Sequence, residues 1–220
     1  MFYIGIDPSL SSTAMCIMTP EKKILYFNYT TNSKVHKWRK LTETFVKYVD
    51  VNHRSNEDYS IQEIYKLQDY TKTAQLIIED IIKVCGENDK IIAIESFSQQ
   101  SLHGHIIDLV MFSTVLRKEI FEKVSTNIRV IAPKSLKTAA CRLSYETDKK
   151  GVCRNHNGLA GGHFVKHNML ESLMDSGKES PLIKCLKEVK AEIMPMKTVP
   201  APFSDLTDSE QLLWMMLSEV

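Results

Sequence analysis

Apolar and polar positions along the chain follow two periods, which predict where strands and helices lie. Short apolar or alternating runs predict strands at residues 2–7, 13–19, 23–31, 90–97 and 127–133, with a weaker strand pattern at 43–51. Apolar residues three and four positions apart predict helices at residues 60–84, 105–124, 162–175, 180–190 and 205–219. Three prolines predict an extended linker at 194–204, and residues 141–162 match neither period and predict a loop.

The order of these elements predicts an α/β fold. Strands come first and then alternate with helices, so we expect a mixed sheet that is antiparallel at its start and parallel after the helical crossovers. A length of 220 residues suits a single domain with elaborations. The hydrophobic share of 43% and the charged share of 25% are typical of a soluble globular protein.

Three features of the sequence bear on its location. No apolar run approaches the roughly 18 residues of a membrane span. Apolar residues begin at position 2 without a basic segment before them, so we expect no secretory signal. The five cysteines are scattered and odd in number, which favours a reducing cytosol over a disulfide framework. We therefore expect a cytoplasmic protein without a membrane partner.

Charge is distributed unevenly, although the formal net charge is only +1. From Arg117 to Lys190 there are 15 Lys/Arg against 8 Asp/Glu, and the rest of the chain has 13 against 19. A basic half beside an acidic half suits a metal-dependent nuclease, because cations bind phosphates and carboxylates bind metals. Solvated helix faces produce the same asymmetry by chance, so both interpretations stay open.

Four acids stand where the apolar pattern does not predict them. Asp7 ends the first strand, Glu95 ends a later apolar run, and Asp205 and Asp208 share one face of the last helix. If the strands that carry Asp7 and Glu95 are neighbours, these carboxylates repel each other unless cations offset their charge. Hard oxygen ligands suit Mg²⁺ or Mn²⁺, and two such ions about 4 Å apart can stabilise both reacting oxygens in phosphodiester cleavage.

Each acid also has a purely structural interpretation. Asp205 can cap the last helix and Asp208 can interact with its dipole. Asp7, which precedes Pro8, can start a turn, and Glu95 can be a surface acid. The combination of all four favours a metal centre.

The stretches IGIDPSLSSTAM, IAIESF, APKSLK and DLTDSEQLL, in this order, resemble the RuvC-type Holliday junction resolvases, especially the phage-encoded branch of the ribonuclease H-like superfamily. The resemblance spans residues 2 to about 217. It implies a ribonuclease H-like mixed five-stranded sheet flanked by helices, in a single nuclease domain over 1–220 with an inserted loop at about 141–162. It also implies that the four acids are catalytic and bind two Mg²⁺ ions, for which Mn²⁺ can substitute: Asp7, Glu95, Asp205 and Asp208.

Basic and aromatic residues extend this resemblance. PKSLK matches a family stretch after the fifth strand and points to Lys137, with Lys134 beside it, as DNA-binding residues. GLAGGHFVKHNM matches a Gly-rich loop and helix start, which implies that Lys166 contacts phosphate or stabilises the leaving group. Phe97 matches a position where family members present aromatic residues to the junction, and it can equally be a core phenylalanine.

The resemblance thus implies a Mg²⁺-dependent endonuclease that resolves four-way junctions in branched double-stranded DNA by paired nicks, in a bacterial or phage-infected cell. Cutting two strands implies a homodimer, for which the apolar helix at 105–124 is a candidate interface unless it is core. One alternative is a ribonuclease H-like nuclease on RNA–DNA hybrids or flaps. Another is an actin/Hsp70-type ATPase, whose phosphate loop resembles IDPSLSST but which needs a second such domain.

Five residues near the predicted loop have side chains that can bind zinc. They are Cys141, Cys153, His156, His163 and His167. Their spacings match no zinc-finger pattern, so the competing interpretation is a substrate-binding loop.

Overall fold

Six strands form one mixed sheet in the computed structural model of the chain, which describes residues 1–31, 36–97, 105–144 and 164–218. In chain order the strands are β1 (Phe2–Asp7), β2 (Ser12–Met18), β3 (Ile24–Thr30), β4 (Val46–Asp50), β5 (Lys90–Glu95) and β6 (Ile128–Ile131). Their order across the sheet is β4-β3-β2-β1-β5-β6. β2 runs antiparallel to β1 and β3, and the other neighbouring pairs are parallel. The predicted mixed α/β sheet is confirmed, with β4 as a sixth strand beyond the five expected.

Seven helices accompany these strands in the described part of the chain. They are α1 (His36–Thr42), α2 (Tyr59–Cys85), α3 (His105–Lys123), α4 (Pro133–Ser144), α5 (Lys166–Asp175), α6 (Pro181–Ile193) and α7 (Phe203–Ser218). The five predicted helices are present with shifted ends, whereas the sequence pattern does not predict α1 or α4. None of the described helices has the length and apolar character needed to span a bilayer.

Two predicted irregular segments differ from the structure. Pro133, expected to close a strand, is the first residue of α4, where a missing N–H leaves no hydrogen bond unmade. Residues 141–144 are therefore helical, and the remainder of the predicted 141–162 loop lies outside the described residues. The linker at 194–204 is not extended throughout, because the Met196 N–H closes a turn onto the Ile193 carbonyl and α7 already begins at Phe203.

Helices cover both faces of the sheet. α2 and α3 pack on one face, and α1 and α4 to α7 pack on the other. Met15 of β2 lies in the core between the sheet and α2 and α3, while Ala14 and Cys16 lie in the core on the opposite face. This is the alternation of side chains that a strand requires. A strand buried on both faces reads as a continuous apolar run, which explains the pattern of β2.

Helix α7 crosses β1 at unusually short range. A Cβ atom added to Gly5 would lie 2.1 Å from the backbone carbonyl oxygen of Ser209 and 3.0 Å from the Leu212 side chain. Because the first of these atoms belongs to the backbone, no side-chain rotation could relieve the clash. The absence of a side chain at position 5 therefore sets how closely α7 lies against the sheet.

The middle of α7 is polar as well as buried. Residues 207–211 are all inaccessible to solvent. The Ser209 hydroxyl lies 2.9 Å from the Cys16 thiol. The buried Glu210 carboxylate accepts three hydrogen bonds, of 2.9, 3.2 and 3.1 Å, from Tyr26, Ser180 and Trp214. These bonds satisfy polar groups that would otherwise cost free energy inside the protein, and they hold α7 in one position.

We expect Gly5→Ala to lower the free energy of unfolding by roughly 3 kcal/mol or more, since the added methyl group must push α7 away from β1. Urea denaturation followed by circular dichroism measures the change. Gly177→Ala is the comparison variant. Its φ of 70° is unfavourable for alanine by roughly 1 kcal/mol, but no atom lies within 4 Å of the added Cβ, so this variant lacks the clash. Equal losses in the two variants would contradict the role assigned to Gly5.

Candidate active site

Two of the predicted acids lie side by side at one edge of the sheet. β1 and β5 are parallel neighbours, and Ile6 of β1 is paired with Ile94 of β5. Asp7 and Glu95 follow these residues at the carboxyl ends of the two strands. The condition under which the two carboxylates lie close together, adjacent acid-bearing strands, is therefore met.

Helix α7 adds a third carboxylate to this edge. Carboxylate oxygens of Asp7, Glu95 and Asp208 all lie within 4.8 Å of one another. Asp208 is only 1% exposed, and its Oδ1 atom has no hydrogen-bond partner among the described residues. A buried, unpartnered carboxylate oxygen beside two further carboxylates fits a divalent cation, which prefers oxygen ligands of this kind.

Burial and mutual repulsion disfavour the charged forms of these acids. Burial, and next the charge of Glu95, raises the pKa of Asp7 well above its usual value. Burial raises the pKa of Glu95 as well, while the positive charges of Lys166 and Lys137 act in the opposite direction. Burial and then the charge of Asp7 raise the pKa of Asp205 to about 7. A bound cation would relieve this repulsion, which is a second reason why the site fits a metal.

Asp205 lies beside this cluster, near a buried polar pair of the sheet. It is the third residue of α7, so the interpretation of Asp205 as the N-cap is not supported. The neighbouring Ser12 hydroxyl acts against the rise in the pKa of Asp205. Ser12 in turn accepts a hydrogen bond of 3.0 Å from the Asn28 side-chain amide. Ser12 and Asn28 are both buried, and sequence reasoning missed them because hydroxyl and amide residues in strands carry no chemical motif.

Lys166 reaches the cluster from the first position of α5. Its ammonium group forms an ion pair with Asp208. Two contacts fix the helix that carries it. The Val165 N–H donates to the Asn168 side chain at 3.1 Å, and the Gln211 amide of α7 donates to the Met169 carbonyl at 2.8 Å. The structure therefore brings Lys166 to the acids from a distant part of the chain.

The other predicted DNA contacts lie around the same edge. Lys137 of α4 is half-buried and acts electrostatically on Glu95, and Lys134 is exposed one turn earlier. Phe97 lies two residues beyond Glu95, is half-exposed, and belongs to neither core that the described residues form.

Most of the proposed zinc ligands cannot be placed. Cys153, His156 and His163 lie outside the described residues. Cys141 is buried in α4 and is disulfide-bonded, which the scattered cysteines did not lead us to expect. A sulfur in a disulfide is not the thiolate that zinc requires, so the structure does not support Cys141 as a ligand.

Comparison with known proteins identifies the fold. The chain matches Thermus thermophilus RuvC in complex with a Holliday junction substrate with a TM-score of 0.51 and 10% identity, covering 98% of this chain and 91% of that one. A second structure of T. thermophilus RuvC gives 0.50 and 10%, covering 100% and 96%. The yeast mitochondrial Holliday junction resolvase Ydc2 gives 0.47 and 12%, covering 97% and 77%. No family model and no curated protein sequence matches. The chain thus has a RuvC-type fold.

We expect Asp7→Asn to raise the melting temperature in EDTA at pH 8 by about 2–4 °C, equivalent to roughly 1 kcal/mol, because it removes one of the crowded charges. Folding raises the pKa of Asp7 above its ordinary value of 3.8. Wild-type stability is therefore lost as pH rises from about 4 through the folded pKa, and the difference between the proteins should vanish at pH 4.

Asp89→Asn, which changes an exposed acid between α2 and β5, is the control and should leave the melting temperature unchanged at both pH values. Added Mg²⁺ should then stabilise the wild type more than Asp7→Asn, because only the wild type retains the full set of oxygen ligands. A variant that is less stable than the wild type at pH 8 in EDTA would show that the acids do not repel one another in the folded protein.

Proposed function

We propose that the protein is a divalent-metal-dependent endonuclease that resolves four-way DNA junctions by paired nicks. The observation that carries this proposal is the convergence of Asp7, Glu95 and Asp208 at the carboxyl edge of a RuvC-type fold. The T. thermophilus RuvC structure with this fold is bound to a Holliday junction substrate, which supports branched DNA as the substrate class.

The acidic side chains would hold two Mg²⁺ ions, with Mn²⁺ as a substitute. Asp7, Glu95 and Asp208 offer converging oxygens, and Asp205 offers a fourth carboxylate from the same helix as Asp208. When bound, such ions neutralise the charge of a phosphodiester and make water a stronger nucleophile. The Ser12 hydroxyl, which accepts a hydrogen bond from Asn28, would favour the charged form of Asp205 that a metal ion requires.

Positive side chains would complete the site. Lys166 would place its ammonium group beside the cleaved phosphodiester, where it favours the negative charge that develops on the oxygens. Its ion pair with Asp208 keeps this charge at the site before DNA binds. Lys137 and Lys134 would contact neighbouring phosphates, and the half-exposed ring of Phe97 would pack against an unpaired base.

A homodimer would supply the two active sites that paired nicks require. Apolar side chains of α2 are exposed at spacings of three, namely Ile61, Ile64 and Leu67. An ion pair of 3.0 Å between Lys66 and Asp108 places the first turn of α3, with the 69%-exposed Ile107, beside this stretch. We infer that these residues form the dimer interface. The middle of α3 contributes Phe112, Leu116 and Ile120 to the core, so the predicted interface helix is not free along its whole length. Its exposed apolar side chains are Ile107 at the start and Phe121 at the end, and Ile107 is the one beside the α2 stretch.

Of the two alternatives, the ATPase fits the structure less well, whereas the hybrid- or flap-cleaving nuclease differs from the proposed activity in substrate. An actin/Hsp70-type ATPase requires two related domains, whereas the described residues form one sheet. A ribonuclease H-like enzyme on RNA–DNA hybrids or flaps would use the same acids, so only the substrate distinguishes it from the proposed activity.

With Mg²⁺, the wild type should cleave a synthetic four-way junction in preference to a flap, a fork or an RNA–DNA hybrid of the same sequence. Asp7→Asn should be inactive, and Lys166→Ala should lower the single-turnover rate by about 10²-fold. The exposed-acid variant Asp89→Asn should cleave like the wild type. Gel analysis of end-labelled strands measures all of these rates. Preferred cleavage of the hybrid, or equal activity of wild type and Asp7→Asn, would refute the assignment.

For the dimer, we expect Ile64→Glu to convert the protein to a monomer, because a carboxylate would be buried without a partner at the interface. Sedimentation equilibrium gives the molar mass. Ile82→Glu is the matched control, since Ile82 is exposed at the other end of the same helix. A monomeric wild type, or a dimer that tolerates Ile64→Glu, would rule out this interface.

A further inference from the structure

Three cavities join into one groove over the helical layer that contains α4, α6 and α7. The first, of about 630 Å³, lies between α4 and the end of α7. The second, of about 540 Å³, adjoins the start of β1 and shares Leu143 and Ser218 with the first. The third, of about 610 Å³, follows the start of α6 and shares Lys178 with the second. Because each cavity shares lining residues with the next, they form a continuous surface feature, which we call the basic groove.

The lining of the basic groove is strongly positive. Its cationic side chains are Lys22, Lys134, Arg142, Lys178, Lys184 and Lys187. Glu179 is the acid that lines it. None of these six cations forms an ion pair with another described residue. Unneutralised cations gathered along one groove create a positive potential that attracts a polyanion.

One end of the groove starts next to the acidic cluster. β6 ends at Ile131, which is paired with Glu95, and α4 begins two residues later. Lys134 is in the first turn of α4, and Lys137, one turn further, acts on Glu95. From Lys134 to Arg142 the helix rises by about 12 Å. The groove therefore leads away from the active site over a distance of several nucleotides.

The second of the three cavities has an apolar part to its lining. Trp214 lines it, together with Tyr3 and Leu217. The Lys178 ammonium lies 5.2 Å from the centre of the Trp214 ring, and the indole N–H donates to the buried carboxylate of Glu210. A nucleic-acid backbone alternates anionic phosphates with the apolar carbons of its sugars. A lining that combines cations with an aromatic side chain matches both parts of that chemistry.

We propose that the basic groove binds the phosphodiester backbone of one duplex arm of the DNA whose branch point lies at the acidic cluster. This inference rests on the proposed function and extends it, because the groove contacts DNA that is not cleaved. The contacts go to phosphates, so they add affinity and fix the direction of the arm without selecting a base sequence.

The test compares a groove variant with a matched control on DNA of two arm lengths. The groove variant is Arg142→Gln with Lys187→Gln, and the control is Lys72→Gln with Lys83→Gln, which removes two exposed charges from α2 on the opposite face of the sheet. Fluorescence anisotropy in EDTA measures the binding of two four-way junctions. The arms of one have about 20 base pairs, and the arms of the other have about 6 base pairs and are capped by hairpins. At about 3.4 Å per base pair, the short arm ends roughly 20 Å from the branch point. Melting temperatures verify that both variants are folded.

We expect the groove variant to bind the long-armed junction about 10-fold more weakly than the control and to reduce the slope of log affinity against log salt by about 2. It should lose less affinity for the short-armed junction, because a short arm reaches past Arg142, about 12 Å along α4, but is expected to end before the third cavity, which Lys187 lines. Its cleavage rate at saturating long-armed junction should equal that of the wild type, because neither changed residue belongs to the acidic cluster.

Equal affinity of the groove variant and the control for the long arms would overturn the inference. An equal loss on short and long arms, or tighter binding of single-stranded DNA than of duplex at the groove, would overturn it as well, since base stacking on Trp214 would then be the main contact. Junction cleavage by the wild type is scored separately. If the wild type cleaves junctions but the groove variant binds them normally, only the role of the groove is refuted. If the wild type cleaves no junction, the proposed function is refuted.

Discussion

The close approach of α7 to β1 at Gly5 is the constraint on which the rest of the structure depends. With no side chain at this position, the carbonyl of Ser209 can lie against the strand. Asp208 is the preceding residue, so the same contact places its carboxylate beside Asp7 and Glu95. The contact also buries the polar residues 207–211. Of these, Ser209, Glu210 and the Gln211 amide group have hydrogen-bond partners in the sheet, in α5 and at Ser180, which caps α6.

The acidic cluster lowers the stability of the folded protein, and the rest of the fold compensates for this loss. Burial and repulsion raise the pKa values of Asp7, Glu95 and Asp205, so each carboxylate is less favourable in the folded protein than in water. Lys166 offsets part of this cost from α5. The arrangement lowers the stability of the metal-free protein but suits a divalent cation, and such a trade of stability for ligand binding is typical of functional sites.

Much of this arrangement can be predicted from the sequence. Asp7 and Glu95 each end an apolar run, and parallel neighbouring strands bring such positions to one edge. The i, i+3 spacing of Asp205 and Asp208 places both on one side of α7, although Asp208 alone joins the 4.8 Å cluster. The pattern does not predict α1, whose Trp38 packs against Phe203 at 5.5 Å, because a seven-residue helix is too short for a clear period. It also does not predict α4, because Pro133 suits the end of a strand as well as the start of a helix.

By itself, the sequence determined the α/β order of elements, the apolar faces of the long helices and the acids that stand against the apolar pattern. These properties are local, since period and spacing are set by the geometry of a single strand or helix. Only the tertiary structure decided the roles of Gly5, Ser12 and Asn28, whose importance comes from the atoms that oppose them. It alone also decided the basic groove, because its cations are far apart along the chain and become neighbours only after the helices pack on the sheet.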